Sequence, residues 1–338
     1  MVDRDESDVP IAFPLPSGHQ NGVGLCGVTT QNMTTTTTLL TAKDIPHPYT
    51  FEGTATPEEA RKYCEKLAKS HYENFLVAGA FCPKPLRQHF YNVYAYCRIS
   101  DDLSDEIGDP AKSLILLDWW DEELEAMYAG APRHPVFVAL AETVQQFSIP
   151  IDPFRDLLTA FRQDQRVTRY QTYEELVGYC RYSANPVGRL VLYLCGYQDD
   201  ERLTLSDKTC TALQLANFWQ DVTRDLVKDR VYIPLEDMAR FGYTEELLFA
   251  RRFTPEFGAL MKFEVDRTHT LFNEGLKLTT LVEKRVRLDI EMFNRGGMEV
   301  LRRIEQQHYD TLTTRPAVPK SRQVALLIGR LLANLTAK

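Results

Sequence analysis

The sequence predicts an all-α fold built as one domain, and three observations support this prediction. Apolar residues recur at three- and four-residue spacings through most of the chain after Thr56. There is no convincing series of alternating strands, and no repeat of fixed period. No second low-complexity linker divides residues 56–335, so one helical domain is a simpler interpretation than the two domains that 338 residues would allow.

The chain begins with a segment that cannot support a packed core. Residues 1–48 are rich in Pro, Gly, Ser and Thr, include the Thr34–Thr38 run and show no hydrophobic periodicity. We therefore expect a disordered tail over this segment. At Thr56 the pattern changes, because an N-cap residue is followed by Pro57 and the acidic Glu58 and Glu59, as at the start of a helix.

Further helices are expected in order along the chain. Leu86–Asp105 carries aromatic and aliphatic residues at helical spacings. Gly108 and Pro110 are expected to end this helix, and a second amphipathic helix is expected over Ala111–Tyr128. Later stretches with the same periodicity are Pro153–Arg166, Tyr173–Cys180, Val187–Leu194, Ser206–Val227, Pro255–Leu281, Arg285–His308 and Arg322–Leu335.

The charge balance and the cysteines exclude several classes of protein. With 39 Lys and Arg against 47 Asp and Glu, the net charge of -8 argues against nucleic acid as a partner. The seven cysteines form no CxxC pair and indicate buried thiols in a reducing compartment. No secretion signal and no apolar stretch of membrane-spanning length is apparent, so we expect a cytoplasmic protein, with peripheral contact to the inner membrane left open.

Two pairs of aspartates carry the strongest chemical signal. Asp101 and Asp105 are four residues apart and share a helix face, and the same spacing returns later in the chain. The second stripe consists of Gln214, Asn217, Asp221 and Asp225. Like charges beside large apolar residues need a cation, and hard oxygen ligands on facing helices suit Mg²⁺ with a phosphate or diphosphate substrate. A solvated helix end would explain the first pair alone, but not both pairs.

Other catalytic chemistries have little support in the sequence. There is no HExxH motif and no His/Cys cluster of zinc spacing. Neither GxGxxG nor GxxxxGK[ST] occurs, and the GxSxG nucleophile motif is also missing. Metal-assisted chemistry on a diphosphate is therefore the favoured interpretation.

Several motifs resemble the squalene/phytoene synthase family. Tyr94–Arg98 precedes the first aspartate pair and Arg230–Pro234 follows the second. Finer features are closest to the bacterial hydroxysqualene synthase branch of hopanoid biosynthesis. These features are Tyr72–Phe75, Ser183–Leu190, Asn217–Asp221 and Arg295–Gly297.

The resemblance implies an isoprenoid synthase fold, with helices around a central apolar cavity and two facing Asp-rich helices. It implies Mg²⁺-assisted ionisation of presqualene diphosphate, capture of the carbocation by water, and release of hydroxysqualene without NADPH. Asp101, Asp105, Asn217, Asp221 and Asp225 would hold the metal. The diphosphate side would be lined by His71, Tyr94, Arg98 and Gln214, with Arg230 as a further phosphate ligand.

Aromatic side chains in the same motifs have two possible roles. Their faces could stabilise a carbocation by cation–π contact, although packing in the core explains each of them at least as well. The side chains concerned are Tyr94, Tyr96, Tyr179, Phe218 and Trp219. Tyr179 is included among the expected substrate-binding residues.

The chain departs from the wider family at three places. Tyr72–Phe75 lacks the serines of a Ser-x-Ser-Phe-like element, and Gln220 stands where many relatives have an arginine. One positive charge fewer would fit a site that handles one diphosphate at a time. Gly297 replaces a frequent tyrosine, either because two helices approach closely or because the space is left for the attacking water.

Three alternatives stay open at this stage. A head-to-head condensing synthase would consume two prenyl diphosphates, and squalene synthase would require NADPH. A non-catalytic assembly factor would have no reason to keep both aspartate pairs and Arg98.

The sequence also leaves open a complex with other enzymes of squalene biosynthesis. The amphipathic Val324–Leu335 could rest on a membrane, although core packing or a dimer contact explains it as well.

Overall fold

The computed structural model describes Tyr49, Phe51, residues 53–70 and residues 84–318. Within these residues it is all-α, with one isolated parallel bridge between Arg169 and Val231. The all-α prediction is confirmed. The predicted tail, His71, the element at residues 72–75 and the helix expected at residues 322–335 lie outside the described residues.

The described residues form twelve α-helices and two short 3₁₀ segments. The α-helices are α1 (Pro57–Ser70), α2 (Lys84–Asp105), α3 (Pro110–Tyr128), α4 (Pro135–Phe147), α5 (Asp152–Asp164), α6 (Tyr173–Ser183), α7 (Asn185–Leu194), α8 (Asp200–Asp225), α9 (Leu235–Arg240), α10 (Glu245–Phe249), α11 (Pro255–Gly275) and α12 (Lys284–Gln306). The 3₁₀ segments are Leu226–Lys228 and Leu276–Thr280. The sequence did not predict α4, α9 and α10.

Local sequence explains where several of these helices begin. At the start of α1, the backbone amide of Thr56 donates to Glu59 Oε2 at 2.9 Å, and the Glu59 amide donates to Thr56 Oγ1 at 3.4 Å. Asp109 caps α3 by accepting from the amide of Ala111 at 3.0 Å. These contacts satisfy amide groups that have no partner within the helix.

The buried apolar residues form two groups. One group is built mainly from α1 to α5 and α7, and includes the fully buried Trp120. The other is built mainly from α6 and α8 to α12, and includes the fully buried Trp219. The end of α2 belongs to the first group and the end of α8 to the second, so the two aspartate pairs lie on helices from different halves of the core.

Close packing around α8 depends on small residues. Helices α6 and α7 are separated at Ala184, and Pro186 lies in the first turn of α7. A Cβ atom at Gly188 would meet Cys210 Sγ and would lie 2.5 Å from Ser206 Oγ. Glycine at this position therefore allows α7 to approach α8. No helix in the described residues is long and apolar enough to cross a membrane.

Candidate active site

The first aspartate pair occupies the C-terminal turn of α2. Arg98 Nη1 lies 3.3 Å from Asp101 Oδ2, on the same helix. Asp105 is reached from another part of the chain, with Lys228 Nζ 3.4 Å from its Oδ2 and Arg230 Nη2 3.9 Å from its Oδ1. Burial, with the nearby charge of Asp105, raises the pKa of Asp101 well above its usual range.

Asp102, between these two aspartates, points to different partners. It accepts a hydrogen bond from the Tyr49 hydroxyl and pairs with Arg98 Nη2. The Tyr49 carbonyl oxygen in turn lies 3.1 Å from His134 Nε2. Asp102 therefore anchors Arg98 and the chain before α1, while Asp105 is the acid of α2 that Lys228 and Arg230 reach.

The second aspartate pair lies at the C-terminal end of α8, where the helix is distorted. Asp221 has non-helical backbone angles, with φ -102° and ψ 15°. Its carboxylate accepts from Asn217 Nδ2 at 2.9 Å and pairs with Arg315 Nε at 2.5 Å. Burial and the neighbouring Asp221 raise the pKa of the partly buried Asp225 well above its usual range.

Arg315 was not predicted from the sequence. It follows α12 and reaches Asp221 across 94 positions of the chain, so helical spacing gives no signal for the contact. Lys228 was missed for a similar reason, because its partner Asp105 lies on another helix. Both are ordinary surface-type residues in the sequence and acquire a role only through tertiary contact.

The cations that follow α8 connect the two acid pairs. The charges of Lys228 and Arg230 both act on Asp225, and the same side chains lie within 4 Å of Asp105. Tyr232 is within electrostatic reach of Asp105 and of Asp225. The described residues thus bring the ends of α2 and α8 to one acidic region with its own counter-charges.

A further buried acid, Asp164, lies beside this region and was also missed. Its Oδ2 accepts from the Tyr179 hydroxyl at 3.1 Å, and its backbone carbonyl lies 3.5 Å from Arg230 Nη2. Burial raises the pKa of Asp164 to about 7, although Arg230 opposes this shift. The signal was present in the sequence, since Asp164 continues the apolar stripe of Leu157 and Phe161 on α5.

The candidate aromatic residues divide into two sets. Tyr179, Phe218 and Tyr232 lie together next to Asp164, and the rings of Phe218 and Tyr232 stack at 3.8 Å. Tyr96 packs in the first core group and donates to the Phe154 carbonyl at 2.9 Å. Trp219 donates to Thr268 Oγ1 at 2.9 Å on the side of α11. Core packing therefore accounts for Tyr96 and Trp219.

Tyr94 and Gln214 are both fully buried. Burial raises the pKa of Tyr94 to about 12, and the charges of Arg98 and Asp101 also act on it, which places it near the first acid pair. Neither amide atom of Gln214 has a hydrogen-bond partner among the residues that the structure describes.

The donor set fits a hard divalent cation such as Mg²⁺. Asp101 Oδ1 and Asp105 Oδ1 are buried without a hydrogen-bond partner in the described part of the chain. Within the same residues, no three His, Cys, Asp or Glu side chains form a close cluster. Two separated acid pairs suit Mg²⁺, because this ion keeps several waters and takes further oxygens from substrate phosphates. The protein's own arginines and lysines already compensate part of the negative charge.

Comparison with known proteins agrees with this arrangement. Residues 68–322 match the family model of squalene/phytoene synthases. The chain belongs to the squalene/phytoene synthase family. A solved structure of squalene synthase HpnC from Alicyclobacillus acidocaldarius is 43% identical, with a TM-score of 0.72, and the match covers 79% of this chain and 98% of that one.

Other relatives in the family are more distant in sequence. A dehydrosqualene synthase structure solved with a ligand is 28% identical, with a TM-score of 0.73 over 83% of this chain and 98% of that one. Phytoene synthase from Arthrospira platensis is 30% identical, and the match covers 81% of this chain and 93% of the relative. The isoprenoid synthase fold expected from the resemblance is confirmed by these neighbours.

Gln220, for which the resemblance leads one to expect an arginine, has a definite partner in the structure. Its Nε2 donates to the Pro316 carbonyl at 2.5 Å, next to the contact between Arg315 and Asp221. The segment after α12 is therefore attached to the end of α8 at two consecutive positions. A neutral amide satisfies this contact and adds no positive charge to the site.

The space beside Gly297 is filled by neighbouring side chains and leaves no room for the attacking water. A Cβ atom there would meet the ring of Phe272 and would lie 2.9 Å from Leu213 Cδ2. The hypothesis that this space is left for water is wrong, and close approach of α12 to its neighbours explains the glycine. Arg189 donates to the Asp207 carboxylate through Nε at 2.9 Å and Nη2 at 2.6 Å, so it acts as a structural ion-pair partner between α7 and α8.

Proposed function

We propose that the protein converts presqualene diphosphate and water to hydroxysqualene and diphosphate. The observation that carries this proposal is the neutral Gln220, whose side-chain amide donates a hydrogen bond to the Pro316 carbonyl. Where many relatives are expected to have an arginine, the end of α8 here has one positive charge fewer. A site with fewer cations suits one diphosphate rather than two. The motifs shared with the hydroxysqualene synthase branch, from Ser183–Leu190 to Arg295–Gly297, support the same assignment.

The residues at the two helix ends would bind and neutralise the diphosphate. Members of the family generally use divalent metal ions, and Mg²⁺ held by the two acid pairs and Asn217 would supply charge compensation for the leaving group. Arg98 and Arg230 are partly buried guanidinium groups that can donate to phosphate oxygens. Their charge is permanent, so breakage of the C–O bond needs no proton transfer from the protein.

The apolar interior would then protect the carbocation. Tyr179 and Phe218 present aromatic faces beside the acidic region, with ring centroids 6.2 Å apart. A cation over a desolvated ring gains about 2 kcal/mol. Buried side chains also exclude bulk water, so the product depends on the water that the site itself admits.

The alternative function is head-to-head condensation of two prenyl diphosphates to phytoene, dehydrosqualene or squalene. The 30% identity to phytoene synthase over 289 residues favours keeping this alternative. The two functions share the fold and the aspartate pairs, and they differ in the substrate consumed. A squalene synthase would in addition need NADPH to reduce the carbocation.

Incubation of the purified protein with Mg²⁺ and presqualene diphosphate, without NADPH, tests the proposal. Mass spectrometry of the extracted products should detect hydroxysqualene, and both Asp101→Ala and Asp221→Ala should abolish it. If presqualene diphosphate is not consumed but farnesyl or geranylgeranyl diphosphate is, the condensing alternative is correct. From the sequence we also propose a cytoplasmic location, and contact with other enzymes of the pathway or with a membrane.

A further inference from the structure

Two polar side chains in the interior have no partner that the described residues provide. Ser183 is 1% exposed and Gln214 is fully buried. Ser183 Oγ and both amide atoms of Gln214 lack hydrogen bonds within the described residues, including to one another. Buried polar groups are almost always satisfied by protein or by ordered water, so this pair calls for a ligand.

The packing of α6 on α8 brings the two side chains to the same level. The rings of Tyr179 on α6 and Phe218 on α8 lie 6.2 Å apart. Further along, Thr211 Oγ1 on α8 donates at 2.9 Å to Oδ1 of Asn185, the first residue of α7, two positions after α6 ends. Residue numbers therefore rise along α6 while those of the contacting residues on α8 fall, so the two helices are antiparallel.

Helical spacing then places Ser183 opposite Gln214. Ser183 follows Tyr179 by four residues, and Gln214 precedes Phe218 by four, so each lies on the face that carries the aromatic contact. The pair is one helical turn beyond that contact. Gln214 lies about 10 Å along α8 from Asp221, at a rise of ~1.5 Å per residue, so it occupies the end of the stripe that is farthest from the acid pairs, one turn before Asn217.

A water molecule is the ligand that this chemistry would hold. A buried water makes two to four hydrogen bonds, and the pair offers a hydroxyl, an amide donor and an amide acceptor. Neither side chain carries a charge that could neutralise a metal ion or a phosphate, so a neutral ligand fits the pair better than the diphosphate that the resemblance assigned to Gln214. Its position beside Tyr179 and Phe218 borders the aromatic surface on which the carbocation would be formed.

We propose that Ser183 and Gln214 bind the water molecule that captures the carbocation. This inference rests on the proposed function, in which water is the second substrate. The water oxygen uses a lone pair to form the new C–O bond, one of its O–H bonds breaks, and the proton passes to the diphosphate released earlier in the reaction. Ser183 and Gln214 orient the lone pair and are unchanged at the end.

Product ratios from Ser183→Ala and Gln214→Leu test the inference. Without a positioned water, the carbocation should lose a proton and give a hydrocarbon, so the ratio of alcohol to hydrocarbon should fall about tenfold or more in both variants. Ser183→Thr keeps the hydroxyl and should restore much of the ratio. The matched control is Ser206→Ala, which alters a buried serine on α8 that packs against Gly188 and should leave the ratio unchanged.

A crystal structure of the wild-type protein provides a second readout that does not depend on activity. It should show an ordered water within hydrogen-bond distance of Ser183 Oγ and the Gln214 amide. If the wild-type protein makes hydroxysqualene and both variants keep its ratio of alcohol to hydrocarbon, this inference alone is overturned. A direct hydrogen bond between Ser183 and Gln214 in the crystal structure would overturn it as well. A wild-type protein that forms no hydroxysqualene would overturn the proposed function and this inference together.

Discussion

The two acid pairs occupy the ends of two helices, but they are held in different ways. On α2, Asp101 binds Arg98 of its own helix, and Asp105 is reached by Lys228 and Arg230 from the chain that follows α8. On α8, Asp221 lies at a distortion of the helix and pairs with Arg315, which comes from beyond α12.

This difference indicates different tasks for the two helix ends. The contacts of Asp105 come from a segment continuous with α8, so they fix the two helices relative to each other. The contact of Asp221 comes from a separate segment after α12, which reaches α8 through Arg315 and Pro316. We therefore expect changes at α2 to act directly on catalysis and changes at Arg315 to act on access of the metal to Asp221.

The largest effect is expected from Asp105→Asn. This substitution removes one charge from the pair on α2 and should lower kcat by about 100-fold or more, comparable to the loss of a group that stabilises developing charge. The measurement is steady-state turnover of presqualene diphosphate, with thermal unfolding as a check on folding. Asp102→Asn is the comparison variant, because Asp102 contacts Tyr49 and positions Arg98 but is not an expected metal ligand, so its loss should be smaller. Equal losses in both variants would contradict the division of roles on α2.

Gln220→Arg should produce the next largest effect, at the end of α8. An added guanidinium could still donate to the Pro316 carbonyl and could also bind a second diphosphate. Turnover of farnesyl diphosphate should therefore rise about tenfold, as expected for ~1.4 kcal/mol from one charge-assisted hydrogen bond. Gln220→Met, which has similar length and no charge, should show no gain. If both variants gain equally, the charge at this position does not decide the substrate.

Arg315→Ala should give a smaller change, in binding of the metal. Because Arg315 pairs with Asp221, Mg²⁺ has to compete with this contact. A partly exposed ion pair contributes ~1 kcal/mol, so calorimetry without substrate should show Mg²⁺ binding about fivefold tighter in the variant. Arg224→Ala is the control, since Arg224 lies 3.7 Å from Asp221 and is half-exposed, so its removal should change affinity less. Weaker binding in Arg315→Ala would mean that this arginine helps to form the metal site.

The sequence predicted those features that depend on local spacing. Asp101 and Asp105, like Asp221 and Asp225, share helix faces because a helix turns every 3.6 residues, and the structure has helices at both places. The α4 helix was missed because its apolar residues are almost continuous from Pro135 to Ala141 and give little periodicity.

Features that depend on tertiary contact were not predictable in this way. The pairing of Arg315 with Asp221 joins segments far apart in the chain, and no local rule favours that arginine over others nearby. That Gln214 is buried with no hydrogen-bond partner among the described residues becomes visible only in the folded structure. The sequence therefore indicates the chemistry of the site, while its counter-charges and its interior polar groups require the structure.

The smallest effect on the reaction itself is expected at Asp164, the buried acid beside both helix ends, where the predicted change is one of stability. Its pKa is raised to about 7, whereas that of a free aspartate is about 4. Between these values the unfolded chain loses a proton that the folded protein keeps, so the free energy of unfolding should fall as the pH rises from about 4 to about 7. Asp164→Asn cannot ionise and can still accept from Tyr179 through its amide oxygen.

The variant Asp164→Asn should thus resemble the wild type at pH 4 and be more stable at pH 8, with a Tm higher by about 3 °C for each ~1 kcal/mol gained. Thermal unfolding across this pH range measures the difference. Asp118→Asn, which removes an exposed partner of Arg162, should give no rise at pH 8. A Tm difference that stays constant from pH 4 to pH 8 would show that Asp164 does not titrate there, and that Arg230 keeps it ionised as part of the same charged region as Asp105.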